Sequence, residues 1–360
     1  MSELRAVLAE RIRSHGPITV AEFMATALGH PVFGYYATRD PLGRAGDFVT
    51  APEISQVFGE LLGLALGQAW LDRGAPAGAV LVELGPGRGT LMLDAWRALA
   101  RVPGAHEALT IHLVETSPHL EAIQRQRLAS LPARWQARLE DVPPAPLLLV
   151  ANEFLDALPV HQLVRREAGW CERRIGLDGE VLAFVETPAM ALPQAAREMA
   201  PGVVTEVSPA RTTVVAEVAA RIARRGGAAL FVDYGAVAAG PTGDTLQAVR
   251  GHAQCAPLDT PGEADLSTQV DFGPLVEVGR GAGAAVFGPL PQGVFLPRLG
   301  IETRIGALVR AGGPTQAPAL HAALHRLIHP EAMGELFKVL ALADPGGPPP
   351  PGFGPEDRTA

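Results

Sequence analysis

The sequence predicts an α/β fold: a mostly parallel sheet, preceded by a helical extension and interrupted by an inserted subdomain. Three observations carry this. The apolar run from Val80 passes through Glu83-Leu84 into a glycine turn and then into LMLDAWRAL, a strand–turn–helix unit. Short apolar runs recur at 110–115, 134–139, 146–151 and 228–234 with helical patterns between them, the alternation of a parallel sheet. The stretch between 151 and 228 is too long for one crossover, so an insertion lies within it. With 360 residues, 48% hydrophobic and 19% charged, the chain can bury a large core and does not read as disordered.

Taken in order, residues 3–14 predict a helix ended by His15-Gly16-Pro17, and TVAEFMATALG a second apolar segment. A Gly-, Pro- and aromatic-rich loop follows, HPVFGYYATRDPLGRAGDFVTAPE, of the kind that serves as a lid or binding segment. Thr50 and Glu53 form a T-x-x-E capping box, with Pro52 in the first turn and the helix running to about Asp72. Residues 1–78 therefore read as a helical N-terminal extension with a lid loop. Helices are expected at 90–101, after Ser117-Pro118, and from Ser208-Pro209 to Arg224-Arg225 before Gly226-Gly227. Within the insertion, about 157–205, GWCERRIGLDGEVLAFVE reads as a hairpin turning at Asp178-Gly179, a candidate substrate-covering region. The main domain spans 79–344, and 345–360, PGGPPPPGFGPEDRTA, reads as a disordered tail.

A net charge of −8 and a pI near 5.7 leave no general basic footprint for nucleic acid. Lys338 is the only lysine, a composition bias more than a functional mark. Cys171 and Cys255 cannot make a disulfide framework and are expected to be buried thiols. Glu263, Asp265 and Asp271 lack His or Cys companions, so no metal centre is expected. No run is long enough to span a bilayer. Glu3 and Glu10 argue against an acid-poor transit peptide, which makes cytoplasmic residence the expectation.

The turn itself is Gly85-Pro86-Gly87-Arg88-Gly89, opening a Rossmann-like unit. In a dinucleotide site the following helix N-terminus attracts a pyrophosphate. Glu83, two residues before the first glycine, would oppose one. It suits the α-ammonium of S-adenosylmethionine (SAM) instead, while turn N–H groups serve the α-carboxylate. Glu115 ends the second strand and suits the ribose diol of either cofactor. An NAD-dependent oxidoreductase stays as an alternative, with spacing G-x-G-x-G in place of G-x-G-x-x-G.

GYYATRDPLGRAGDFVTAPEISQVFGE, ELGPGRGTLMLD, LVETSPHL, NEFLDALPVHQ, CERRI, DYG, HAQCAPLDTPGEADLSTQVDF, QGVFLPRLGI and MGELFKVL, in this order, resemble the MidA-type family of class I SAM-dependent methyltransferases. The likeness runs through nearly the whole chain. It implies a seven-stranded class I sheet, an inserted substrate region and methyl transfer to an arginine guanidinium of a protein, a complex I-related subunit. A non-catalytic SAM-binding assembly factor is the alternative that resemblance leaves.

The segment after the fourth strand offers Asn152, Glu153 and Asp156 as catalytic candidates. Guanidinium stays protonated far above neutral pH and becomes a nucleophile only as a proton leaves, which carboxylates promote. Glu153 and Asp156, spaced i, i+3, share one side if the segment turns helically. Either acid could instead cap that turn. Asp47, in a glycine-rich loop, is a further candidate at the methionine end of the cofactor, and Asp141 one for the adenine amino group. Asp233-Tyr234-Gly235 and His252 have no separate physical argument.

Overall fold

The computed structural model describes residues 3–38, 50–189, 199–237, 243–313 and 315–359. Contacts divide the chain into two compact units, one of residues 49–155, 214–237 and 272–360, the other of 1–48, 156–213 and 238–271.

The first unit is built on a sheet. Its strands are β1 (Val80–Leu84), β2 (Thr110–Val114), β3 (Ala133–Gln136), β4 (Leu147–Asn152), β5 (Gly227–Ala236), β6 (Ala285–Pro291) and β7 (Phe337–Ala343), lying in the order β3-β2-β1-β4-β5-β7-β6. Strands β1 to β5 are parallel, and β7 runs antiparallel to both its neighbours. Every residue of β1 and β4 is buried, as expected for strands covered on both faces. The chain order reverses between β1 and β4, the point where open α/β sheets leave a crevice beyond their carboxyl ends.

Three helices shape that edge: α1 (Gln56–Asp72), α2 (Thr90–Leu99) and α3 (Pro118–Arg127). Ser117 Oγ caps α3 by accepting from Leu120 N at 3.2 Å, as its sequence predicts. The long helix expected from Thr50 is instead two. Ala51–Ile54 ends at Ser55, which is extended and whose Oγ caps α1. Thr50 makes no side-chain cap bond, and Glu53 accepts from Thr90 Oγ1.

Helix α1 carries Gly59, Gly63 and Gly67 at four-residue spacing, and these face α2. A Cβ at Gly63 would stand 2.6 Å from Ala95 Cα and 2.7 Å from Ala95 O, and one at Gly67 2.6 Å from Leu99 Cδ2. The two backbones therefore touch, which fixes the helix that leaves the glycine turn. Gly63→Ala is expected to cost about 1–3 kcal/mol, read as a lower urea midpoint with unchanged slope.

The C-terminal segment is ordered, contrary to the expectation from its composition. Phe353 is buried in the core, its ring 6.2 Å from that of Phe287 and 5.3 Å from that of Phe295. Thr359 N donates to Val286 O at 2.9 Å, and Arg298 pairs with Asp357. One aromatic anchor and a bridge to β6 hold a segment whose prolines leave little backbone entropy to lose.

In the second unit, the helices Glu3–His15 and Val20–Gly29 share a core with the insertion and with residues 238–271: Leu4, Leu8, Phe23 and Met24 cluster with Ile175 and Leu266. The N-terminal residues thus join the inserted region, whereas 50–78 pack on the sheet, a division different from an extension over 1–78. Thr19 and Glu22 form a reciprocal capping box at the second helix. Gly169–Asp178 pairs antiparallel with Val181–Pro188, and the hairpin turns through Gly179 at φ 59°. Cys171 and Cys255 are free and half-buried, not buried as expected, because each lies on a strand with a partly exposed face. No helix among the described residues is long and apolar enough to cross a membrane.

Candidate active site

Glu83 sits near the carboxyl end of β1 and is 3% exposed. Burial pushes its carboxyl well above the usual carboxylate range; the Met92 N–H pulls it back and the charge of Glu115 pushes it further up. Its Oε2 has no hydrogen-bond partner among the described residues. A buried orphaned carboxyl is costly unless a cation meets it.

The turn that follows is left-handed at Gly85 (φ 60°), Gly87 (φ 54°) and Gly89 (φ 77°). A side chain at Gly85 would strike Phe154, whose Cδ2 lies 2.8 Å from the Cβ position. Gly89 is the N-cap of α2 and offers no side-chain cap, so the first N–H groups of α2 get none from it. Glu53, bonded to Thr90 at this same helix start and 3.8 Å from Arg127, sets a second carboxylate where a pyrophosphate would have to lie.

Glu115 follows β2 and accepts from Ser117 N at 2.8 Å and Gln124 Nε2 at 3.0 Å. Burial raises its pKa, and these donors oppose the rise. Gln124, fully buried, also donates to Gly87 O at 2.8 Å and accepts from Trp135 Nε1 at 2.9 Å. It therefore ties together the turn, the second acid and β3. Sequence reasoning missed it; the signal was a polar residue four after Leu120, in the helix's inward stripe. Asp141 is exposed and pairs with Arg138. Asp47 lies outside the described residues.

At the end of β4 the register sets Leu84 opposite Ala151, so Asn152 is level with Gly85. Asn152 Nδ2 donates to Glu153 Oε1 at 3.0 Å, and Ala51 N donates to the same oxygen at 3.0 Å. Asn152 Oδ1 is buried with no partner among the described residues. The helical turn that would bring Glu153 and Asp156 to one side does not form. Glu153 is left-handed at φ 50°, a conformation that costs a non-glycine residue about 1–3 kcal/mol and persists where surroundings impose it. Asp156, half-buried, belongs by its contacts to the other unit. There its Oδ1 accepts from Ala157 N at 2.9 Å, and burial raises its pKa to about 6 against the pull of Arg211.

Asp233 gains the physical argument it lacked: it is 1% exposed and accepts from the backbone of Phe154 and Leu155. His252 occupies an exposed hairpin tip at φ 63°. Asp265 accepts from Tyr36 OH at 3.1 Å, and Glu263 pairs with Arg250. A cavity of about 430 Å³ opens at the opposite, amino-terminal edge of the sheet, beside Arg73, Leu147, Gly227 and Asp344. There Arg73 is satisfied by Asp344, Ala69 O and Pro348 O.

Two orphaned oxygens, Glu83 Oε2 and Asn152 Oδ1, thus stand at the ends of neighbouring strands and call for N–H donors. The amino-acid end of SAM supplies an ammonium; a dinucleotide would bring phosphates to a place with two carboxylates. Comparison decides between them. The model of a family described as S-adenosyl-L-methionine-dependent methyltransferases matches residues 61–290.

The chain belongs to that family.

The methyltransferase's cofactor is SAM, and the oxidoreductase alternative falls. Among its relatives, protein arginine methyltransferase NDUFAF7, mitochondrial, of Danio rerio is 38% identical, over 93% of this chain and 85% of that protein. The Mus musculus protein of the same name is 39% identical, over 92% of this chain and 82% of that one. A Burkholderia thailandensis protein solved bound to S-adenosyl-homocysteine superposes with TM-score 0.84 at 32% identity, covering 94% of this chain and 91% of that chain. The methyltransferase fold, α/β with a mostly parallel sheet, is therefore as expected. The cytoplasmic expectation is overturned: these curated relatives are named as mitochondrial proteins. Glu3 and Glu10 are exposed on an N-terminal helix, where acids are ordinary in any compartment.

Proposed function

We propose that this methyltransferase acts on an arginine guanidinium nitrogen in a protein, with Glu153 and Asn152 handling the guanidinium. The observation that carries the reading is the pair at the end of β4: a carboxylate held beside a carboxamide whose oxygen is buried and unpartnered. Relatives bearing the name protein arginine methyltransferase support the choice of acceptor.

Bound SAM supplies a methyl group on a sulfonium. The chain's own residues then have three tasks. Glu83 and the turn N–H groups hold the amino-acid end, and Glu115 holds the ribose diol. Asn152 Oδ1 accepts from one guanidinium N–H, which aims the neighbouring nitrogen along the line of displacement, where positioning contributes much of the rate. Glu153 would carry negative charge beside the cation and take the proton that leaves the nitrogen as the new N–C bond forms and the methyl–sulfur bond breaks, its electron pair staying on the sulfur of S-adenosylhomocysteine. Asp47 and Asp141 remain proposals for the cofactor's two ends. Asp156 is proposed as a carboxylate for the protein substrate. It ionises at about 6, so kcat/KM for the protein is expected to fall as the pH drops below that value, and the acidic limb should vanish in Asp156→Asn.

A complex I-related subunit is the proposed acceptor. Incubation with radiolabelled SAM and purified complex I subunit homologues tests it: label on arginine supports the reading, and label on lysine or none, with SAM bound, refutes it. A non-catalytic assembly role predicts that Glu153→Gln, inactive in transfer, still restores complex I in cells lacking the protein; failure to restore it favours the enzyme.

A further inference from the structure

We infer that Asp233 is a positioning residue for methyl transfer, whose carboxylate holds the turn after β4 in the backbone conformation that presents Glu153. The inference rests on the reading of Glu153 as the group that handles the guanidinium.

Asp233 lies on β5, the strand beside β4, one residue past the pairing of Val232 with Asn152. Its Oδ2 accepts from Phe154 N at 3.2 Å and Leu155 N at 2.8 Å, and its Oδ1 from Tyr234 N at 2.9 Å. Glu153 N donates to Val232 O at 2.9 Å. Three successive amides of the turn are therefore fastened to two successive residues of β5. Glu153 stands at the head of that run, at φ 50°.

A glutamate gains nothing intrinsic from that conformation; Gly, Asn and Asp are the residues that visit it readily. Something external must impose it, and the three fastened amides do. An amide leaving a buried strand end needs an acceptor. Here a single carboxylate oxygen accepts from both Phe154 and Leu155. The consequence is directional. With the backbone locked on either side of its Cα, Glu153 has its side-chain origin set, and its Oε1 falls where Ala51 N and Asn152 Nδ2 both reach it at 3.0 Å. A carboxamide at 233 would keep the volume but offer one oxygen and set an NH2 against an amide N–H. The turn would relax toward ordinary φ and move the Glu153 carboxylate away from the reacting nitrogen.

The test is a double-mutant cycle on the full chain with Asp233→Asn, Glu153→Gln and the pair. Transfer is read as label entering arginine from radiolabelled SAM, with extract of cells lacking this protein as acceptor. Cofactor affinity is read by titration with S-adenosylhomocysteine. Asp233→Asn is expected to slow transfer by about tenfold or more, since misplacement of about 1 Å can cost about a hundredfold, while affinity stays within about threefold. In the Glu153→Gln background the same change is expected to cost less than about twofold. An equal loss in both backgrounds, or wild-type transfer by Asp233→Asn alongside an impaired Glu153→Gln, overturns the inference and leaves the Glu153 reading standing. Full activity of Glu153→Gln removes that reading and this inference with it. Should Asp233→Asn fail to fold, Asp233→Glu keeps the charge, displaces the oxygens by one methylene and carries the same expectations.

Discussion

Glu153→Gln is expected to lower methyl transfer by about 100-fold or more and to leave S-adenosylhomocysteine affinity within about threefold. The substitution is chosen because it separates chemistry from structure. Glutamine keeps an oxygen for Ala51 N and Asn152 Nδ2, the two donors that Glu153 Oε1 now serves. It keeps the backbone, so the left-handed strain and its clamps are unchanged. What it loses is the negative charge beside the guanidinium and the capacity to take a proton. Both matter only once a methyl-accepting nitrogen is present, so the loss should fall on the single-turnover rate constant for transfer and hardly on cofactor binding. Transfer within threefold of wild type would remove Glu153 from the chemistry.

The second large effect is at the other strand end. Glu83→Gln is expected to weaken S-adenosylhomocysteine binding by about 10- to 100-fold, the worth of about 1.5–3 kcal/mol for a charge-assisted hydrogen bond. The direction of the Glu83 shift adds two signs. Burial raises its pKa in the free protein, so below that raised value the carboxyl is neutral, and an arriving ammonium favours its ionised form. Binding should release up to about one proton, visible as a dependence of the titration heat on buffer ionisation enthalpy, and Glu83→Gln should abolish that dependence. The stability sign is opposite to that of a paired carboxylate. The folded state holds this proton at pH values where the unfolded chain has lost it. Wild-type stability without cofactor therefore falls as pH rises from the ordinary carboxylate value toward the raised one. Glu83→Gln lacks that fall, so at neutral pH it should melt higher than wild type without cofactor and gain less from S-adenosylhomocysteine. A site that destabilises its empty protein and is relieved by its ligand fits the usual tension between stability and function.

The sheet was legible because β1 and β4, buried on both faces, write nearly continuous apolar runs, and because glycines mark the left-handed turn at 85, 87 and 89. What stayed hidden depends on contacts remote in sequence. Glu53 reads as a local capping partner, yet its carboxylate goes 37 residues on, to Thr90. Asp233 reads as part of an unexplained DYG until β5 is set beside β4, when two amides 78 and 79 residues away become its donors. The condition that would put Glu153 and Asp156 on one side, a helical turn, is not met for a related reason, since clamps supplied by another strand hold the backbone at Glu153. Composition misled at the C-terminus, where Phe353 outweighs the prolines around it. Gly59, Gly63 and Gly67 were visible in their spacing, but only the backbone of Ala95 shows what they admit.

The central claim is that the acid at the mouth of the glycine turn receives the amino-acid end of the cofactor. A crystal structure of this chain soaked with S-adenosylhomocysteine tests it most directly. The predicted result places the α-amino nitrogen about 3 Å from a Glu83 oxygen, or joined to it through one water. A ligand whose amino-acid end lies elsewhere, with Glu83 Oε2 still without a partner, would contradict it.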